Sequence, residues 1–254
     1  MTFYDIAQLK KYLAESEIAL DFHEEAGSTN SIAKELIKNG FAEKTLVLAE
    51  MQTAGRGRKG RSFYSPSGTG IYMSLVLPPM NVEVVSLLTV LAAAAVERAI
   101  FAETGVHTGI KWVNDLYLKE KKICGILCES VIGKDGLLGS IVGIGINCAT
   151  ENFPEEIKNI AGSIGLSLSR EKLIAGIIKN LQKFTKNPAE GTAIYREHCF
   201  MRGKKIRFLY DRKEFFGIVE DVDDKGGLVV SCEDGIIRTL MSGEAEIIGK
   251  DYLK

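Results

Sequence analysis

Four short segments carry side chains and backbone that packing alone does not call for. Residues 52–61 read Gln-Thr-Ala-Gly-Arg-Gly-Arg-Lys-Gly-Arg, so Arg56, Arg58, Lys59 and Arg61 alternate with Gly55, Gly57 and Gly60. Guanidinium groups present planar forks that fit phosphate and carboxylate oxygens, and glycines allow positive φ and a close ligand approach. Like charges repel and glycine gives up the most backbone entropy, so the run reads as a loop that an anionic ligand closes; as a solvated basic loop it would need no ligand. Gln52 leads it with an amide that can donate and accept. Ser28, Thr29 and Asn30 sit where a helix should begin, offering hydroxyls and unpaired N–H groups to a ligand or serving as a plain N-cap. In Lys111-Trp-Val-Asn114-Asp115 and Lys122-Ile-Cys-Gly125-Ile-Leu127, strand alternation puts Lys122 on the side of Cys124, Ile126 and Cys128, beside apolar residues unless a partner binds. Gly125 permits close backbone approach, Lys111 and Asp115 could form a structural salt bridge across the turn, and Trp112 reads as core. The fourth segment, Gly143-Ile-Gly-Ile-Asn147, lacks the third glycine of a dinucleotide fingerprint because position 148 is Cys148.

These segments need elements to hold them. Periodicity predicts helices over 5–15, from Ser28–Asn30 through Ile37, over 82–104, 155–159, 170–183 and 190–200. Strands are predicted at 20–24, 45–50, 71–77, 110–113, 116–118, 122–132 and 137–146, with Gly133-Lys-Asp-Gly136 as a hairpin turn. The last stretch differs: five short β segments, 204–210, 214–222, 228–232, 236–240 and 245–248, separated by Asp- and Gly-rich turns, predict a small barrel. The boundary falls near Met201-Arg202-Gly203, giving domains over 1–200 and 201–254.

A chain of 254 residues with 46% hydrophobic and 26% charged content is that of a globular protein. Its net charge of −1 supplies no global field for a polyanion, so general nucleic-acid binding is disfavoured. Residues 1–17 mix charged with apolar side chains, unlike a signal peptide, and the apolar helix at 84–101 contains Glu97 and Arg98, which argues against a membrane span. Five cysteines without a C-x-x-C pair suggest free thiols in a reducing cytoplasm.

The ordered set Ser-Thr-Asn, Gln-x-Ala-Gly-Arg-Gly-Arg-x-Gly-Arg, Lys-Trp-x-Asn-Asp with Lys-x-x-Gly-Ile-Leu, and Gly-x-Gly-x-Asn resembles biotin–protein ligases over residues 20–250. That resemblance implies an α+β fold in which a mixed β-sheet is flanked by helices, like the class II aminoacyl-tRNA synthetase core, with a small C-terminal SH3-like barrel. It implies conversion of biotin and MgATP to biotinyl-5′-AMP, then transfer to a lysine of a biotin carboxyl carrier domain. By resemblance, Lys122 and Arg58 are catalytic. Ser28, Thr29, Asn30, Gln52, Arg56, Gly57, Arg58, Lys122, Gly125 and Leu127 bind biotin. Arg58, Arg61, Lys111, Asn114, Asp115 and Asn147 bind ATP or the adenylate, with magnesium near Asp115. Two departures stand out: Val113 where the family has proline, and Phe63 where it has tryptophan. Only 27 residues precede Ser28, too few for a winged helix, so the expectation is a cytoplasmic ligase, homodimeric, without DNA or membrane binding. Rivals are a lipoate–protein ligase-like transferase, and, from another class, a nucleic-acid-binding module or biotin-operon repressor.

Overall fold

The computed structural model describes residues 3–41, 43–165 and 167–248; the outermost residues of both expected domains, 1–2 and 249–254, lie outside them. Among the described residues the order is α1 (Ile6–Ala14), β1 (Ala19–Ala26), α2 (Thr29–Lys38), β2 (Thr45–Gln52), β3 (Gly70–Leu77), α3 (Val82–Thr104), β4 (Gly109–Lys111), β5 (Asp115–Leu118), β6 (Lys121–Gly133), β7 (Gly136–Asn147), α4 (Arg170–Lys186) and α5 (Pro188–His198). Then follow β8 (Lys205–Tyr210), β9 (Lys213–Val222), β10 (Leu228–Cys232), β11 (Ile237–Leu240) and β12 (Ala245–Ile247).

The first seven strands form one sheet in the order β1-β2-β3-β7-β6-β5-β4. β1 and β2 run parallel and the other neighbours antiparallel. The last five make a separate antiparallel sheet, β11-β10-β9-β8-β12, the SH3-like unit. The α+β architecture expected from the sequence is therefore present.

Alternation divides the large sheet into two faces. One carries Leu46, Leu48, Leu75, Val142, Ile144 and Cys124 into the main core beneath α3, α4 and α5. α3 is apolar nearly all round because it is buried, including Leu91, Ala92, Ala93, Val96 and Ile100. Among the described residues it is the one helix long and apolar enough to cross a bilayer, and 67% of its apolar window lies inside the fold. Asn81 caps its start by accepting from the Glu83 N–H, and Gly105 ends it in the left-handed region (φ 71°).

The opposite face carries Val47, Val76, Ile141 and Val131, covered by Ala33 and Ile37 of α2. α2 begins partway across this face, over β7 and β3. Beyond its N-terminus the sheet is bare, and the site lies there.

One expectation fails, and another holds in part. Residues 155–160 form successive turns closed by bonds such as Lys158 N–H to Pro154 O (2.9 Å), not a helix; six residues with no continuation cannot offset helix nucleation. Ser28 does occupy the N-cap of α2, but its side chain makes no capping bond, which leaves the hydroxyl of this buried residue for another partner. All five cysteines are free thiols; burial holds Cys128 and Cys148 up at about 12 and Cys199 at about 11.

Candidate active site

Three glycines make the floor. β-pairing sets Gly125 of β6 opposite Gly145 of β7, and Leu127 opposite Gly143. A Cβ on Gly143 would collide with Asn30 Oδ1, and one on Gly145 would come within 2.5 Å of the Phe63 ring. One on Gly125 would press at 3.3 Å on both the Lys122 ammonium and Phe63. The absence of side chains here opens the sheet to a flat ligand.

At one end of this floor, the start of α2 is fixed by a buried polar web. Gln52 Oε1 accepts from Thr29 N (2.9 Å) and Thr29 Oγ1 (3.1 Å), while Gln52 Nε2 donates to Ser65 Oγ (2.9 Å). Ser74 Oγ donates to Asn30 Oδ1 (2.6 Å) and lies 2.8 Å from Thr29 Oγ1; Asn30 Nδ2 donates to Glu129 (2.8 Å) and to Leu127 O (3.2 Å). Glu129 also pairs with Arg56 at 3.2 Å. Such a web presents donors and acceptors in fixed directions.

At the other end sit the charges. Lys122 Nζ lies 2.7 Å from Asp115 Oδ1; the contact is Coulombic rather than a directed hydrogen bond, since that oxygen has no hydrogen-bond partner among the described residues. Alternation predicted Lys122 on the Cys124 side, and that is wrong. Between Leu116 and Tyr117 the ladder slips, so that Asp115 faces Gly125 and Leu116 faces Cys124, but Tyr117 faces Lys122. The extra residue, Ile123, is a β-bulge that turns Lys122 onto the glycine floor. Lys111 pairs across the β4–β5 ladder with Asp115; burial lowers its ammonium pKa, which Asp115 partly opposes. Trp112 is core, as expected, only 4% exposed and donating from Nε1 to Gly226 O (3.0 Å).

The glycine–arginine loop arches over the floor. Gly57 N–H bonds Arg61 O (2.7 Å) and Phe63 N–H bonds Gly55 O (2.9 Å). Of its glycines only Gly60 uses positive φ (75°), next to Lys59 (53°), whereas Gly55 is needed because a Cβ would strike Phe63 O. Arg58 donates to Asn114 Oδ1 (3.0 Å) and to Gly243 O (3.1 Å), a residue of the SH3-like unit. Arg61 and Lys59 face Glu244 of that unit at 2.8 and 3.6 Å.

Together these residues enclose a cleft of about 600 Å³, the size range of small-molecule sites. Of the residues singled out in the sequence, Ser28, Thr29, Asn30, Gln52, Arg56, Gly57, Arg58, Arg61, Lys111, Asn114, Asp115, Lys122, Gly125 and Leu127 all line it. Asn147 does not: its amide donates to Gly162 O (3.0 Å) at the end of β7. Missed were Glu129, Ser74, Phe63 as a ring over the floor, Gly143 and Gly145 as floor, and the Gly243-Glu244 tip. The glycine spacing was a usable signal. Glu129 and the tip gave none, because only the three-dimensional pairing makes them neighbours.

Two family models match this chain: the biotin/lipoate A/B protein ligase family over residues 24–147, and the biotin protein ligase C terminal domain over residues 203–247. The chain is 34% identical over 240 residues to a bifunctional ligase/repressor BirA of Bacillus spizizenii, a match covering 90% of this chain and 74% of that protein. It is 28% identical over 245 residues to a biotin–[acetyl-CoA-carboxylase] ligase of Mycobacterium tuberculosis, with coverage of 90% and 88%. Among solved structures, a biotin protein ligase from Aquifex aeolicus in complex with biotin and ATP is similar at a TM-score of 0.75 and 30% identity, covering 91% of this chain and 99% of that one.

Proposed function

The chain belongs to the biotin/lipoate A/B protein ligase family, and on that premise we propose that it is a biotin–protein ligase, an ATP-dependent, AMP-forming enzyme that modifies a biotin carboxyl carrier domain. The observation that carries this reading is the bulge-placed Lys122–Asp115 pair at one end of a glycine floor whose other end is a fixed donor–acceptor web.

The web suits biotin's ureido group, a planar unit that both donates and accepts. Ser28, Thr29, Gln52 and the Arg56 backbone meet it, Asn30 holds the web, and Gly57, Gly125 and Leu127 flank the bicyclic ring and the valeryl tail. The carboxylate then points toward Lys122. In the first step a carboxylate oxygen attacks the α-phosphorus of ATP; the new P–O bond forms as the bond to the β-phosphate breaks, and pyrophosphate leaves. Two anions must meet, so the barrier falls when a preorganised cation spans them. Lys122 fills that role, and Arg58 and Arg61 hold phosphate oxygens. Lys111 and Asn114 line the nucleotide side. Asp115, a hard oxygen donor, is the residue that would approach the magnesium carried by ATP; Asn147 sits behind Gly162 and supports the floor rather than the nucleotide. In the second step the neutral amine of the carrier lysine attacks the acyl carbon, AMP leaves, and the amine proton passes to solvent.

The same reading divides the chain at 200/201 into a catalytic unit and an SH3-like unit, places it in the cytoplasm, where five free thiols persist, and makes it a homodimer through an outer strand of the sheet, β1 or β4.

Incubation with biotin and MgATP should yield biotinyl-5′-AMP by mass spectrometry, and addition of a carrier domain should discharge it. An absence of adenylate would overturn the reading. Preferential use of lipoate in competition would move the chain to the lipoate branch.

A further inference from the structure

The chain has three histidines, and two of them converge on one buried glutamate that does not line the ligase cleft. Glu97, on α3, is completely buried. His107, in the segment between α3 and β4, brings Nδ1 to 2.7 Å from Glu97 Oε1, and His198, the last residue of α5, brings Nε2 to 3.6 Å from the same oxygen. The ligand atoms of all three lie within 4.8 Å of one another. The His107 ring is stacked on Phe101 (3.9 Å between centroids, 9° between planes) and against His198 (4.7 Å, 26°), so both imidazoles are held in place.

A glutamate–histidine hydrogen bond alone does not account for this cluster. Glu97 Oε2 is buried and has no hydrogen-bond partner among the described residues. A buried carboxylate oxygen without a donor is costly, and a carboxylate and two imidazoles stand together with their ligand atoms within 4.8 Å of one another. We propose that Glu97, His107 and His198 form a binding site for a divalent transition-metal ion of the zinc class. Two histidines and one glutamate are a recurrent zinc donor set with bonds of about 2.0–2.2 Å; an ion would replace the Glu97–His107 contact, moving that pair slightly apart and drawing His198 in. One face stays open: the His107 side chain is 49% exposed, so a water can complete the tetrahedron.

The position suggests a clamp rather than a part of the ligase chemistry. Just after His198, Cys199 pairs with Ile110 and the Phe200 N–H bonds Ile110 O (3.2 Å). A bound ion would thus join α3, α5 and the base of β4, directly below Lys111 and ahead of the SH3-like unit.

The test uses the intact chain, stripped with a chelator and dialysed against Zn²⁺ or Co²⁺. Wild type should take up one ion per chain and show the visible bands of tetrahedral Co²⁺. With zinc at about 100 times its Kd, Tm should rise by roughly 5–10 °C. His107→Gln, which removes a half-exposed ring, and His198→Gln should each abolish the Co²⁺ bands and the Tm rise. His23→Gln, on β1, should keep both. No uptake by wild type, or bands and Tm rise that survive His107→Gln, would overturn the site as adventitious binding. Should His198→Gln not fold, His107→Gln still decides.

Discussion

At the scale of single residues, the proposed reading has the cleft work through one ammonium group, Lys122, whose place depends on a bulge. Lys122 lies 2.7 Å from Asp115 and borders the Gly125 backbone, while the polar web proposed to meet the ureido group is built from other side chains. Lys122→Ala should therefore lower adenylate formation by on the order of 10²–10³ and leave biotin affinity within a few-fold; parallel pyrophosphate-release rates and biotin titrations would check the split, and equal losses in both would place Lys122 in ground-state binding instead. Arg58 ties the loop to Asn114 and to Gly243. Arg58→Gly removes both ties and should raise the rate at which biotinyl-5′-AMP escapes, read as free adenylate after rapid filtration; retention at the wild-type rate would refute that role. Residue types were legible in the sequence as an ordered set, although a basic loop or an amide at a helix start taken alone has an ordinary structural use. Side assignments were not: the orientation of Lys122 follows from Ile123 being extra, and nothing in the local composition marks that slip.

At the scale of elements, the start of α2 and the glycines of β6 and β7 act as one unit. Gly143 lies directly under Asn30, so Gly143→Ala must push α2 away from the sheet. The expected cost is about 1–3 kcal/mol of stability, measured by urea denaturation, together with weaker biotin binding by calorimetry. A variant of wild-type stability and affinity would show that α2 is not seated by that contact. The long helices and the hairpin were readable because their periods run over many residues. Counting back from the hairpin at Gly133–Gly136, however, pairs Gly125 with Ile144. An irregularity between Val131 and Ile132 shifts the partner to Gly145 and brings the two glycines together. The turns at 155–160 were misread as a helix because a mixed polar–apolar run of that length fits either state.

At the scale of the whole molecule, the cleft belongs to two sheets. The loop that covers it is bound by Arg61–Glu244 and Arg58–Gly243 across separations that no sequence window spans, and this is why the small barrel was foreseen but its contact with the loop was not. Glu244→Ala deletes two exposed ion pairs, with Lys59 and Arg61, and should change global stability by less than about 1 kcal/mol, yet it should hasten adenylate loss; a leak unchanged from wild type would mean that the barrel tip is a bystander. Gly243 and Glu244 line the cleft although the residues proposed to react all precede residue 150, so loosening that turn should spare the chemistry and lose the discrimination. The mixed anhydride would then drift into the medium and acylate whichever amines it met, so that carrier fidelity rests on a turn between β11 and β12 that never touches phosphorus.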